Sequence, residues 1–473
     1  MEAVKDFTGL ASDSREVKPG FLFAALPGAK TNGASFIRDA VARGAVAVLG
    51  SHEAAPAARA LGVRFIEDAN PRARLSKIAK AFYREQPDIV AAVTGTNGKT
   101  SVTVFLRQIW SALGRRAASM GTIGVVTPDG EIKLSHTTPD PIETHRLLAR
   151  LKGEGIDRLA LEASSHGLDQ YRLDGVEIAA GAFTNITRDH LDYHPSFESY
   201  LAAKLRLFTA LVRKGGAAVV NADALYAEEF RAAAAARDLS VLSVGERGTD
   251  LKLIGREPRA DSQLLTIAFH GRTHSVALPL AGLFQASNAL VAAALAIALG
   301  EDQASVFGAL AKLTGAPGRL ERVARARSGA PIYVDYAHTP DALQTVLKAL
   351  RPHVKGALWV VFGCGGDRDA GKRPLMGAIA AEFADRAIVT DDNPRSENPA
   401  EIRRQILRDV PAATEIGDRR EAIRHAVARL EPDDLLVIAG KGHESGQIIA
   451  GAVHPFSDRD EAIRAARDAQ VRP

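Results

Sequence analysis

An α/β fold in three domains is predicted for this chain, on three observations. Its 473 residues exceed what one ordinary hydrophobic core organises. β-rich apolar runs alternate with segments of helical period, the pattern of a mostly parallel sheet covered on both faces. Clusters of Gly, Asp and His follow the apolar runs, where an open α/β sheet places its ligands.

The elements follow in order. Residues 1–88 hold short apolar pieces, "FLFAAL" and "AVAVLG", and an amphipathic helix around "ASFIRDAVARG", which make a small α/β N-terminal domain ending at "REQPD". "IVAAVTG" then opens a central domain over 89–322 as a buried strand. Helical spacing runs from Thr100 to Leu113, and further strands are expected at "RLALEAS", "AAGAFTNI" and "GGAAVVNA". A third series, over 323–473, runs through "PIYVDYAHTPDALQTVLKAL", "ALWVVFGCGG", "RAIVTDD" and "DLLVIAGKG". Ala-rich patches such as "AAAAAR" are helix formers, and no repeat or low-complexity tract is visible.

Composition narrows the function classes. An apolar fraction of 46% and a charged fraction of 25% are those of a soluble globular protein. The net charge of +4, from 60 basic and 56 acidic residues, argues against a nucleic-acid protein with a dense phosphate-neutralising surface. Cys364 is the sole cysteine, and "MEAVKDFTGLASDSR" lacks a basic and then apolar export segment, so a cytoplasmic location is expected. The apolar run Ala289 to Leu299 is too short to span a bilayer and reads as a buried helix, so no direct membrane insertion is expected.

The stretch "VTGTNGKTS" has the look of a phosphate cradle, although it lacks the glycine that a standard loop places six residues before its lysine. Gly95 and Gly98 let backbone N–H groups turn toward an anion at a helix N-terminus. Lys99 would reach outer phosphates, and the Thr100 hydroxyl would sit on Mg²⁺. A GTPase switch is disfavoured, because the chain has no Asn-Lys pair with which to read guanine. Glu162 and His190 stand at the ends of later strands, where they could reach a second metal facing the phosphates. His190 and His194 are four apart, but the glutamate of a zinc-protease helix is missing and Pro195 follows.

Nine segments carry a resemblance. In order, "TGTNGKTS", "EASSHGLDQYR", "TNITRDHLDYH" with Lys204 following, "GLFQASNAL", "PGRLE", "VDYAHTPDAL", "GCGGDRDAGKRPLM", "DDNPR" and "GKGHE" resemble the Mur ligases that build the peptidoglycan peptide. "GCGGDRD" with "DDNPR" is similar to the branch adding the third amino acid. The resemblance implies a central P-loop ATPase-type domain and a C-terminal Rossmann-like domain. It also implies ATP as co-substrate, Mg²⁺ as cofactor, and an amide bond made through an acyl phosphate on the D-glutamate side chain of UDP-N-acetylmuramoyl-L-Ala-D-Glu. A monomer is expected.

Roles implied by the resemblance follow residue by residue. Gly95, Thr96, Asn97, Gly98, Lys99, Thr100 and Ser101 would hold the ATP phosphates, and Asn288, Arg319 and Asp335 the adenosine end. Thr100, Glu162, His190 and a carbamylated Lys204 would serve the metals, since an unmodified ammonium beside Mg²⁺ would be repelled. Lys99, Lys204, Glu162 and His190 form the expected catalytic set. Ser12 and Ser14 in "SDSR", with "GAKTNG" as a nearby glycine turn, match the uridine side. Thr137, Thr138, Ser164, Gln170 and Arg172 match the muramoyl and peptide contacts, while His136 and Gln285 depart from the family pattern. Arg368, Asp392, Asn393, Pro394, Arg395, Gly440 and Glu444 match the amino-acid site. The Arg395 guanidinium can grip the distal carboxylate of meso-diaminopimelate, which L-lysine lacks. Substrate pieces on every domain imply closure during turnover. A folylpolyglutamate-type ligase is disfavoured by "SDSR" and "DDNPR"; a binding protein without a ligase step would bind ATP but show no substrate-stimulated phosphate release.

Overall fold

The computed structural model describes residues 6–28, 32–187, 189–190 and 193–471. Part of "GAKTNG" and of "TNITRDHLDYH" lies outside the described residues. The chain divides into two compact units, Met1–Val244 with Val291–Asp302, and Gly245–Leu290 with Gln303–Pro473.

The first unit begins with a parallel sheet in the order β1 (Gly9–Ala11), β2 (Phe21–Ala25), β3 (Ala47–Gly50), β4 (Arg64–Glu67). Helix Pro71–Tyr83 starts where the Asn70 side chain accepts from Ala73 N and proline occupies the first turn. Its Leu75, Ile78 and Ala79 pack on Phe7, Leu10, Leu22 and Leu49. The helix expected around "ASFIRDAVARG" is a 3₁₀ turn, Gly33–Phe36, followed by α-helix Ile37–Ala42.

The unit continues with β5 (Ile89–Thr94), β6 (Ala117–Gly121), β7 (Gly124–Thr127), β8 (Gly130–Ile132), β9 (Arg158–Glu162), β10 (Ile178–Phe183), β11 (Val212–Asn221) and β12 (Ser240–Gly245). They are ordered β12-β11-β10-β5-β9-β6-β7-β8, parallel from β12 to β6 and antiparallel across β7 and β8. β5 reads "IVAAVT" without alternation because both of its faces are covered. The chain leaves β5 toward β6 on one side and leaves β10 toward β11 on the other, so the strand order reverses between β5 and β10. Their carboxyl ends therefore flank the crevice where such sheets bind ligands.

The second unit opens with an antiparallel meander, β13 (Leu251–Arg259), β14 (Ser262–Phe269) and β15 (Arg272–Leu278). A second sheet comprises β16 (Glu321–Arg325), β17 (Pro331–Asp335), β18 (Leu358–Phe362), β19 (Arg386–Val389), β20 (Thr414–Glu415) and β21 (Leu435–Ala439), in the order β16-β17-β21-β18-β19-β20. Only β16 is antiparallel to its neighbour. Leu343, Leu347, Met376 and Ile406 cover one face, and Ile423, Ala426, Val427 and Ala462 the other. Arg419 and Asp458 form a fully buried ion pair at 2.7 Å, and Arg419 Nη2 donates to Ala439 O at 2.9 Å, fixing the carboxyl end of β21. A hairpin of β22 (Gly446–Ile449) and β23 (Ala452–Pro455) follows. The apolar run at Ala289 lies in helix Leu283–Ala298, and no helix among the described residues is long and apolar enough to cross a membrane.

Candidate active site

The phosphate loop joins β5 to helix Lys99–Ala112 at the strand-order reversal. Gly98 has φ 86°, a left-handed conformation open to glycine, and a Cβ on Gly95 would come within 1.9 Å of Thr184 Oγ1. The segment after β10 braces the loop. Thr96 N donates to Asn185 O at 2.8 Å, Asn97 N to Asn185 Oδ1 at 2.9 Å, and Thr184 Oγ1 to Asn97 O at 2.6 Å. Thr184 and Asn185 thus hold a loop that lacks the usual first glycine; "TNIT" was visible in the sequence, but no spacing rule tied it to the loop. Ser101 is buried in the first helical turn.

Thr100 and Glu162 meet beside this loop. Thr100 Oγ1 donates to Glu162 Oε1 at 3.0 Å, and the carboxylate also accepts from Thr122 N at 2.8 Å and from Thr122 Oγ1 at 3.1 Å. Glu162 is only 2% exposed, so these donors stabilise a carboxylate that would otherwise be costly to bury. Its close neighbour is Gly121, where a Cβ would lie 2.1 Å from Glu162 Oε1. Gly121→Ala is therefore expected to displace the carboxylate and lower turnover about 10- to 100-fold, with ATP still bound. Turnover of this variant equal to wild type would show that the carboxylate position is not needed.

Two lysines converge on one carbonyl. Lys99 Nζ donates to Gly95 O and Thr96 O, both at 2.9 Å, and Lys204 Nζ donates to Gly95 O at 2.7 Å. Lys204 is 1% exposed and sits 4.5 Å from the Tyr200 ring centroid, on helix Phe197–Arg206, which runs into a π-helical turn at Leu207–Leu211. Burial, and then the charge of Lys99, push the Lys204 ammonium well below the ordinary lysine range; Asp189 acts in the opposite sense. His190 is exposed at φ 53°, with its ring 5.1 Å from that of His166 and 6.3 Å from that of Tyr200.

Five of the expected sugar and peptide contacts are linked to Glu162 by a chain of hydrogen bonds. Thr137 Oγ1 is 3.1 Å from Thr122 Oγ1, and Thr138 Oγ1 donates to Glu162 O at 2.8 Å and lies 2.9 Å from Ser164 Oγ. Arg172 donates to Thr138 O at 2.6 Å and to Gln170 Oε1 at 2.8 Å, and Gln170 Nε2 donates to Tyr193 OH at 3.0 Å. His136 is exposed, its Nδ1 lying 3.0 Å from Ser135 Oγ. Ser12 is exposed, whereas Ser14 is buried in a 3₁₀ turn capped by Asp13.

In the second unit the loops after β18, β19 and β21 carry the expected amino-acid-site residues, while Asn288 lies on helix Leu283–Ala298, Arg319 just before β16, and Asp335 at the end of β17. Asp335 ends β17; its oxygens accept from Leu320 N at 2.6 Å and Ala337 N at 2.7 Å. Burial pushes its carboxyl up to about 6, against the opposing effect of Arg319. The folded state then holds a proton that the unfolded chain has released, so this stabilising contribution is present below pH 4 and is lost as pH rises through about 6. A rise from 3.8 to about 6 corresponds to about 3 kcal/mol. Melting temperature followed between pH 4 and 7 should fall less steeply in Asp335→Asn than in wild type, and parallel profiles would contradict this. Asn288 Nδ2 donates to Gln285 Oε1 at 3.3 Å, and Gln285 Nε2 to Arg319 O at 2.8 Å. The Arg319 guanidinium lies 4.7 Å from the Tyr336 ring centroid.

The "DDNPR" loop is held from three sides. Asn393 Oδ1 accepts from Lys441 Nζ at 3.0 Å, and its Nδ2 donates to Glu444 Oε2 at 3.1 Å. Asp392 is buried, with Oδ2 close to Gly440, where a Cβ would stand 2.6 Å away. Pro394 is buried, and Arg395 has φ 54° and pairs its backbone with Ile448 and Ala450. Arg395 Nη1 donates to Gly366 O at 2.7 Å; among the described residues no acceptor meets its Nε or Nη2. Buried Arg373 ties Glu397 at 2.8 Å, and Glu397 in turn accepts from Asp367 N at 2.6 Å, while Arg368 beside it is exposed. Lys441, Arg373 and Thr122 are site residues that sequence reasoning did not single out.

A glycine loop at a helix N-terminus and a strand reversal, backed by a buried carboxylate, is the geometry of a nucleotide-phosphate site. The chain belongs to the Mur ligase family: the family models described as Mur ligase family, catalytic domain, Mur ligase middle domain, and Mur ligase, glutamate ligase domain match residues 6–83, 93–296 and 318–442. It is 56% identical over 473 residues to UDP-N-acetylmuramoyl-L-alanyl-D-glutamate--2,6-diaminopimelate ligase of Bradyrhizobium diazoefficiens, covering 99% of this chain and 96% of that protein. The same enzyme of Caulobacter vibrioides is 56% identical over 463 residues, covering 97% and 95%. A solved structure of a ligase of that name superposes with a TM-score of 0.76 at 36% identity, covering 99% of this chain and 96% of that one.

Proposed function

We propose that this chain ligates meso-diaminopimelate to the D-glutamate side-chain carboxylate of UDP-N-acetylmuramoyl-L-Ala-D-Glu at the expense of ATP, in peptidoglycan precursor synthesis. The observation that carries the reading is identity of 56% to enzymes of that name across nearly the whole chain. A cytoplasmic location fits the ATP requirement, and a monomer is the state we expect.

In the first unit the loop Gly95–Ser101 holds the ATP phosphates through backbone N–H groups and Lys99. The substrate carboxylate attacks the terminal phosphorus; an acyl phosphate forms and ADP leaves. The acceptor amine then attacks the acyl carbon, and phosphate departs carrying an oxygen from the original carboxylate. Thr100 and Glu162 fit Mg²⁺, a hard cation that takes oxygen donors and keeps few protein ligands beside phosphates and water. Among the described residues no group of three or more His, Cys, Asp or Glu is placed to hold a metal ion. Bound Mg²⁺ would neutralise charge on the transferring phosphoryl group. His190 would assist at the second metal.

Lys204 is the candidate carbamate. A neutral buried amine adds carbon dioxide, forming an N–C bond and releasing one proton, and the product is an anion suited to stand beside a cation. Thr137, Thr138, Ser164, Gln170 and Arg172 would position the muramoyl peptide, and Ser12 and Ser14 the uridine end. In the second unit Asn288, Arg319 and Asp335 would meet adenosine. Arg368, Asp392, Asn393, Pro394, Arg395, Gly440 and Glu444 would hold the acceptor, with Arg395 facing the distal carboxylate and Glu444 the distal ammonium.

The acyl-phosphate route is tested with substrate whose D-glutamate carboxylate carries heavy oxygen. One labelled atom should appear in the released phosphate. Unlabelled phosphate would rule out this route.

A further inference from the structure

β21 runs into a turn in which Glu444 N donates to Lys441 O at 2.9 Å. Lys441 is fully buried, and its Nζ donates to Asn393 Oδ1 at 3.0 Å and to Glu444 Oε2 at 3.1 Å. Asn393 Nδ2 donates to that same Oε2 at 3.1 Å, while Ile448 N donates to Asn393 Oδ1 at 2.9 Å. Oε2 of Glu444 is thus held by two donors. Among the described residues Oε1 receives none, and the side chain is 35% exposed. A buried ammonium is costly unless it is paired and hydrogen-bonded, and this one is paired on a loop that ends a strand rather than within the hydrophobic core.

We infer that Lys441 is a positioning residue for the acceptor amino acid. It fixes Glu444 with one carboxylate oxygen turned outward to receive the acceptor's distal ammonium, and it fixes Asn393 in the same network. This rests on the reading of these loops as the diaminopimelate site. An exposed glutamate left alone would sample several rotamers and lose that freedom on binding; one locked in advance does not. Lys441 reaches the acceptor only through Glu444 and Asn393, and Glu444 is the one that meets the distal ammonium, so the loss is larger for an acceptor that carries this group.

The test compares wild type and Lys441→Met with two acceptors, meso-diaminopimelate and L-2-aminopimelate, which keeps the distal carboxylate but lacks the distal amine. Wild type should favour diaminopimelate. In Lys441→Met the KM for diaminopimelate should rise about 10- to 100-fold, with the KM for ATP and for aminopimelate within about two-fold of wild type and the preference largely lost. Equal loss toward both acceptors and ATP, or no change in the diaminopimelate KM, would overturn the assignment. Should Lys441→Met give too little folded protein, Lys441→Gln, which keeps a donor without the charge, is read by the same criterion. Wild type that turns over with neither acceptor would overturn the underlying site reading along with this one, whereas wild-type turnover with an unmoved variant overturns only the role of Lys441.

Discussion

Lys204→Met should lose about 10²- to 10³-fold or more of ligase turnover, the scale for removing one preorganised charged group at a phosphoryl-transfer site, while its melting temperature holds or rises. Turnover and stability respond to separate causes. Turnover falls because methionine cannot become a carbamate. Stability holds because the native side chain is 1% exposed beside Lys99, an environment that disfavours the ammonium, so an apolar chain of similar volume relieves a desolvation cost. Stripping dissolved carbon dioxide from wild type should lower activity, and isotopically labelled bicarbonate should give a carbamate signal that Lys204→Met lacks. A variant with more than a tenth of wild-type turnover would contradict the role given to Lys204.

Arg395→Lys should cost about 10²- to 10³-fold in kcat/KM with meso-diaminopimelate, because an ammonium keeps the charge but loses the planar fork that meets a carboxylate with two parallel bonds. L-lysine should remain a poor acceptor for wild type, by roughly 10⁴, since it would leave the guanidinium unpaired. The ratio between the two acceptors should narrow in the variant. The structure supplies the local reason: one arm of Arg395 is spent on Gly366 O, and the rest of the fork meets no acceptor among the described residues. An unchanged acceptor ratio in Arg395→Lys would remove this residue from selectivity.

Much of the fold was legible because buried parallel strands are written as continuous apolar runs. "IVAAVTG", "ALWVVFGCGG" and "DLLVIAGKG" correspond to β5, β18 and β21 within a residue or two at their starts. The meander β13–β15 was not singled out, for a physical reason. β14 alternates half-buried and buried residues in "SQLLTIAF", and β13 mixes "LKLIGREPR" with charge, so neither forms an apolar run. At the site, the phosphate loop could be read from local glycine and lysine spacing alone. Its brace could not, since Asn185 lies 88 residues from Asn97 and is brought there only by the parallel pairing of β5 with β10. Lys441 stood in plain view within "GKGHE", yet a lysine ordinarily reads as solvated, and only burial with two acceptors distinguishes it.

ATP-driven ligation selective for meso-diaminopimelate is read out by phosphate release from Mg·ATP and UDP-N-acetylmuramoyl-L-Ala-D-Glu. Meso-diaminopimelate, L-lysine and no amino acid are compared side by side. Sustained release is expected with meso-diaminopimelate only. Equal or faster release with L-lysine would contradict the selectivity argument, and no release with either acceptor would contradict the ligase reading itself.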